Sequence, residues 1–263
     1  MTERLDVGAV IRRVFEIYVD QAPVLLPASA VVFVVTGIIA ALLVAASSGL
    51  ALIALLLSLI ATTLFTGMVV ELVADVQDGR RDHSPTRLLR AVTPVIGPLI
   101  LVGIVAGVGI VLGFILIVVP GLILITIWSV AAPVVVLERP PGVIAALGRS
   151  RDLVRGNGWQ VFAVIFVLFF LILIISSGVE LAAASAGTGA GLVARVVIGV
   201  LTGPLSALAQ AVLYFELRRR HAAAAEPPIV GAPTDEPLAG AGRPPQAPDA
   251  TTGGDGPDPP LPA

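Results

Sequence analysis

The chain has 263 residues, 57% of them hydrophobic and 13% charged, against roughly 45 to 50% apolar and about 25% charged in ordinary globular domains. That balance excludes a water-soluble globule, because the surplus apolar mass needs lipid, and the lack of cysteine excludes disulfides, thiolate metal sites and cysteine nucleophiles. The formal net charge of -2 averages two unlike regions: residues 1–221 hold 15 Arg against 12 acids, and residues 222–263 hold one Arg against six.

The first 21 residues do not read as a cleavable signal, since Glu3, Asp6, Glu16 and Asp20 stand among Arg4, Arg12 and Arg13. Val7, Val10, Ile11, Phe15 and Tyr18 recur at three- and four-residue steps. That spacing predicts an amphipathic cytoplasmic helix over 1–21, with this face in the headgroup boundary and Arg12, Arg13 and Glu16 in water. A first span is expected over 22–46, a turn at Ser47, Ser48 and Gly49, and a second span over 50–73 before a polar loop with Asp75, Asp78, Arg80, Arg81, Asp82 and His83. Ser84 and Pro85 then read as N-cap and first residue of a short helix that carries Arg87 and Arg90.

Ala91 to Leu137 make up 47 consecutive residues without an ionisable side chain. One span takes about 20 residues, so this run holds two, over 92–114 and 120–137, with Pro120 opening the second. Arginines on both flanks mark the two cytoplasmic ends of one hairpin. Gly113 to Val119 must then supply both the end of span three and an entirely apolar turn, which belongs in the membrane interface. Gly103 and Gly107, and Gly109 and Gly113, stand four residues apart and predict close helix approach.

A further amphipathic segment runs from Gly142 to Arg155, Trp159 anchors a fifth span over 159–179, and a sixth covers 192–215 before Arg218, Arg219 and Arg220. Counted from a cytoplasmic N-terminus, every arginine but Arg195 falls on the cytoplasmic side. Arg195 sits near the outer surface, where its stem can snorkel, with Glu180 as a candidate partner. Gly199, Gly203 and Pro204 predict a bend near Thr202. Residues 221–263 are rich in Pro, Gly and Ala and acidic, and are expected to form a disordered tail. A short arginine-bearing helix followed by two spans occurs three times, from Asp6, Ser84 and Gly142. Parallel repeats about the membrane normal would give that pattern, and so would basic helices placed before unrelated hairpins.

Membrane enzymes and proton-coupled transporters carry ionisable groups within their spans, and here the span interiors offer none. Glu71 and Glu216 lie near cytoplasmic ends. The intramembrane polar residues are Thr62, Thr63, Thr66, Thr126, Ser129, Thr202, Ser206 and Gln210, and hydroxyls bonded to carbonyls one turn earlier account for most of them. His83 with Asp78 and Asp82 could in principle hold a divalent ion, although a solvated charged loop explains the trio equally well. No zincin, nucleophile-elbow, Walker or dinucleotide pattern is present. No catalytic residue, metal or cofactor is therefore assigned. Arg12, Arg13, Arg149, Arg151 and Arg155 remain as contacts for anionic lipid headgroups, each worth on the order of 1 kcal/mol near such a surface.

The segments PGLILITIWSVAAPVVVLE (Pro120 to Glu138) and AALGRSRDLVRGNGW (Ala145 to Trp159) resemble the membrane domain fused to some glycerophosphodiester phosphodiesterases. The same domain occurs alone in many uncharacterised bacterial membrane proteins, notably actinobacterial ones. The opening Asp6-to-Tyr18 helix is similar too, and the resemblance covers residues 5 to 220. It implies a six-helix membrane domain with no established activity of its own. The catalytic domain of those enzymes is a separate soluble barrel for which this sequence leaves no room, so the enzymatic activity is not carried over.

The expectation is thus an all-α polytopic membrane bundle, a six-span domain over 22–220 with cytoplasmic amphipathic helices and both termini cytoplasmic, in the cell (inner or plasma) membrane. It is read as a non-enzymatic scaffold, lipid-associated or partner-binding module, or alternatively as a small transporter or permease-like subunit. Membrane lipids and an unidentified membrane protein are its expected partners, and nucleic acid is not.

Overall fold

The computed structural model describes residues 5–78, 92–184 and 188–225. The helix expected at Ser84, His83 and residues 226–263 of the expected tail lie outside them, while residues 221–225 continue the last helix. The described residues are helical throughout, without a strand, as α1 (Val7–Asp20), α2 (Ala22–Ala46), α3 (Ala51–Gln77), α4 (Ile96–Leu116), α5 (Val118–Ile127), α6 (Ala131–Glu138), α7 (Val143–Val154), α8 (Gly158–Ala184) and α9 (Thr188–Ala225). Six stretches are long and apolar enough to cross a membrane: Ala22–Ala46, Ser48–Gln77, Thr93–Leu116, Val118–Glu138, Gly158–Ala184 and Ala190–Ala223. The protein is a multi-pass membrane bundle.

Asp6 starts α1 by accepting hydrogen bonds from the backbone N–H of Gly8 (2.9 Å) and Ala9 (3.2 Å), two donors that the first helical turn leaves without partners. The buried face of this helix is Val10, Val14 and Ile17. It takes Val10 from the stripe expected in the headgroup boundary, while Phe15 of that stripe and the neighbouring Val19 are exposed. The reason is tertiary: α1 packs on α9, α8 and α2, so its most deeply buried stripe covers protein and a second apolar strip is left facing outward.

The apolar turn between α4 and α5 is a single extended residue, Ile117. Here the two helices approach backbone to backbone: a Cβ on Gly113 would fall 3.0 Å from the Cα of Gly121. Gly109 similarly makes room for the Trp128 ring and Gly103 faces Thr63, whereas Gly107 has open space beside it. Pro120 lies in the first turn of α5 and not at its first position, a place where a missing N–H still costs no intrahelical bond.

Span four is not one helix. It breaks at Trp128 to Val130 into α5 and α6. Pro133 cannot donate to the carbonyl of Ser129, four residues back, and the broken turn is held by other donors. Ser129 Oγ donates to Thr126 O (2.9 Å) and Ser150 Oγ, from α7, donates to Ile127 O (2.8 Å). Span six, by contrast, runs through Pro204 as one helix. Pro204 has no N–H for the carbonyl of Val200, and Ser29 Oγ on α2 donates to that oxygen at 3.0 Å. Tyr18 Oη donates to the next carbonyl, Leu201 O, at 3.1 Å. Side chains from α1 and α2 thus satisfy the stretch of backbone that the proline disturbs, as irregular backbone in a membrane requires.

The helix α9 is the hub, touching α1, α2, α3, α6, α7 and α8. The largest fully buried side chains all lie toward the arginine-bearing end: Val14, Leu25, Phe65, Leu72, Leu99, Leu153, Leu208 and Tyr214 are among them. Toward the other end, the buried positions of α3, α4 and α9 are small, such as Ala54, Gly113 and Ala194.

Candidate functional site at the arginine-rich end

Arg139 ends α6 in the left-handed region (φ 48°, ψ 56°), and Pro140 and Pro141 keep the helix from continuing. The chain reverses there, and α7 returns against α6, α4, α9 and α5. Its inner face is Ala146, Leu147, Ser150, Leu153 and Val154. This reversal carries Arg149 back to Glu138. Arg149 Nε donates to Glu138 Oε2 (2.7 Å) and Nη2 donates to Oε1 (3.3 Å), while Tyr214 Oη on α9 donates to the same Oε1 (3.0 Å). The bond to Glu138 raises the Arg149 pKa above its ordinary value, against the lowering effect of burial. One carboxylate therefore clamps α6, α7 and α9 together. The Arg149 and Glu138 side chains are 40% and 24% exposed, so the clamp fixes geometry more than it adds energy.

The other expected headgroup contacts are placed differently. Arg12, Arg151 and Arg155 are exposed and have no ion-pair partner among the described residues. Arg13 is exposed and reaches Glu16 at 3.5 Å. On α9, Glu216 takes Arg220 at 2.8 Å and Arg219 as well, leaving Arg218 outward. Beside these cations are exposed apolar groups: Phe15 and Val19 on α1, Ile144 on α7 and Trp159 at the start of α8, stacked on Phe162 with ring centroids 5.4 Å apart.

Sequence reasoning did not find the Glu138, Arg149 and Tyr214 clamp, nor the Ser29 donor to Val200. Glu138 and Arg149 flank a Pro-Pro-Gly reversal, which was a local signal; Tyr214 and Ser29 give none, because their partners come from distant helices. The polar span residues behave as the spacing suggests: Thr62, Thr63, Thr66, Thr126 and Thr202 each donate to the carbonyl four residues earlier, at 2.7 to 2.9 Å. Glu180 and Arg195 form no ion pair. Among the described residues no group of three His, Cys, Asp or Glu gathers to hold a metal.

The fold and this end together define the class: a polytopic all-helical membrane protein with amphipathic helices at its arginine-rich end. Searches against protein-family models, curated proteins and solved structures each find no match to this chain.

Proposed function

We propose that this protein is a non-enzymatic, lipid-associated membrane module of the kind fused to some glycerophosphodiester phosphodiesterases, serving as a scaffold at the cytoplasmic leaflet of the cell membrane. One observation carries the reading. Exposed arginines (Arg12, Arg151, Arg155) share their elements or immediate flanks with exposed apolar side chains (Phe15, Val19, Ile144, Trp159), the combination by which amphipathic helices lie in a headgroup layer. Positive-inside bias orients this end, and with it both termini, toward the cytoplasm. The hydroxyls of Thr62, Thr63, Thr66, Thr126 and Thr202 engage their own backbone and Glu138 is held by two partners, which supports a structural bundle over a transport pathway.

The test is lipid retention. Protein purified in mild detergent is compared with an Arg12→Gln, Arg151→Gln, Arg155→Gln variant for phosphatidylglycerol carried through delipidation. The variant is expected to retain several-fold less. Equal retention sinks the lipid role, and solute flux into proteoliposomes above the protein-free rate sinks the non-transporting one.

A further inference from the structure

At the end opposite the clamp, α2, α3 and α9 diverge around a cleft of about 860 Å³, inside the roughly 300 to 1,000 Å³ range of small-molecule sites. Its walls are small side chains, Gly37 and Ala41 on α2, Ser58 and Ala61 on α3 and Gly191 on α9. Phe33 forms its floor: the ring is wedged against Gly199 and Gly203, where added Cβ atoms would fall 3.0 and 2.5 Å from ring carbons. On the outer side of the ring α2 and α9 still touch, where a Cβ on Gly37 would fall 3.0 Å from a methyl of Val196, and the cleft opens beside that contact.

Arg195 also lines this cleft. Its side chain is exposed and, among the described residues, makes no hydrogen bond or ion pair. Its guanidinium is a fork of donors suited to two oxygens of one phosphate. An apolar slot with one unpaired cation at its wall matches an amphiphile with an oxyanion beside its hydrocarbon. The lining holds no carboxylate, so a zwitterionic headgroup would find nothing for its ammonium.

We propose that the cleft binds one anionic phospholipid of the outer leaflet, its phosphodiester on Arg195 and an acyl chain between α2, α3 and α9 over Phe33. This site is separate from the arginine-rich end and rests on the reading proposed above only for the leaflet it faces. Ser58 Oγ and Thr62 Oγ1 are already bonded to Ala54 O and Ser58 O at 2.9 Å, which leaves the neutral Thr36 hydroxyl and Arg195, and of these only Arg195 carries the charge that selects the headgroup.

The test is native mass spectrometry of the full chain from equal phosphatidylglycerol and phosphatidylethanolamine, in the background where Arg12, Arg151 and Arg155 are glutamine, so that loss at the other end cannot mimic the result. One retained lipid with about a fivefold preference for phosphatidylglycerol is expected, the gain of a single basic residue near anionic lipid. Arg195→Gln should abolish the preference, Arg195→Lys should keep part of it, and Ala41→Phe should expel the lipid while Arg195 remains. Should Ala41→Phe fail to fold, the Gln and Lys variants decide. Unchanged preference in Arg195→Gln, or no selectively retained lipid in the background protein, overturns the site.

Discussion

The two ends of this bundle are built on opposite principles. At the arginine-rich end, α1 and α7 fill the spaces between spans, and Val14, Phe65, Leu99, Leu153 and Tyr214 are almost completely enclosed. At the other end the spans and short turns remain, and Leu42, Leu52, Leu116 and Ile117 are half exposed or more. Lipid tails are as apolar as leucine, so a membrane protein gains little by enclosing every apolar group. Packing is concentrated where irregular backbone and charge must be covered.

This contrast predicts a ranking of substitutions, measured by unfolding in mild detergent. The largest effect is expected from Tyr214→Ala, which empties a buried site and frees Glu138, at about 3 to 5 kcal/mol; Tyr214→Phe keeps the ring and should cost about 1 kcal/mol. Similar losses for the two would show that the hydroxyl, not the ring, holds this end. Next comes Gly203→Ala, whose Cβ collides with Phe33 and should cost about 2 kcal/mol through overpacking; pairing it with Phe33→Leu should recover part of that. Ser29→Ala leaves the Val200 carbonyl without the donor that replaces the Pro204 N–H, for about 1 kcal/mol. Smallest is Leu52→Ala at the open end, where the side chain is 64% exposed and a change within about 0.5 kcal/mol is expected. A loss there rivalling Tyr214→Ala would erase the distinction between the ends.

Residue by residue, legibility followed the range of the interaction. The chargeless run from Ala91 to Leu137 spoke for two spans because hydropathy is local, and Ser47 and Pro120 marked turns by their own backbone chemistry. The face of α1 was read only in part. The stripe through Val10 and Phe15 was expected in the headgroup boundary; Phe15 is exposed, but Val10 is buried with Val14 and Ile17, because α1 packs on α9. Span four read as continuous because the apolar run around Pro133 is unbroken by any charged residue that would mark an interruption. Of the five arginines singled out, Arg149 is drawn into the fold by Glu138, a choice set by the reversal at Arg139 to Gly142.

Charge and hydropathy along the chain determined the membrane class and the number of spans, because insertion into lipid is decided segment by segment. They also concentrated arginine at one end. Tertiary structure alone decided which polar groups are occupied and which are free. Glu138 meets Tyr214 across 76 residues and Ser29 meets Val200 across 171, pairings that exist only once helices pack and buried donors and acceptors must find one another. The same packing left Arg195 without a side-chain partner among the described residues, on the wall of an open cleft.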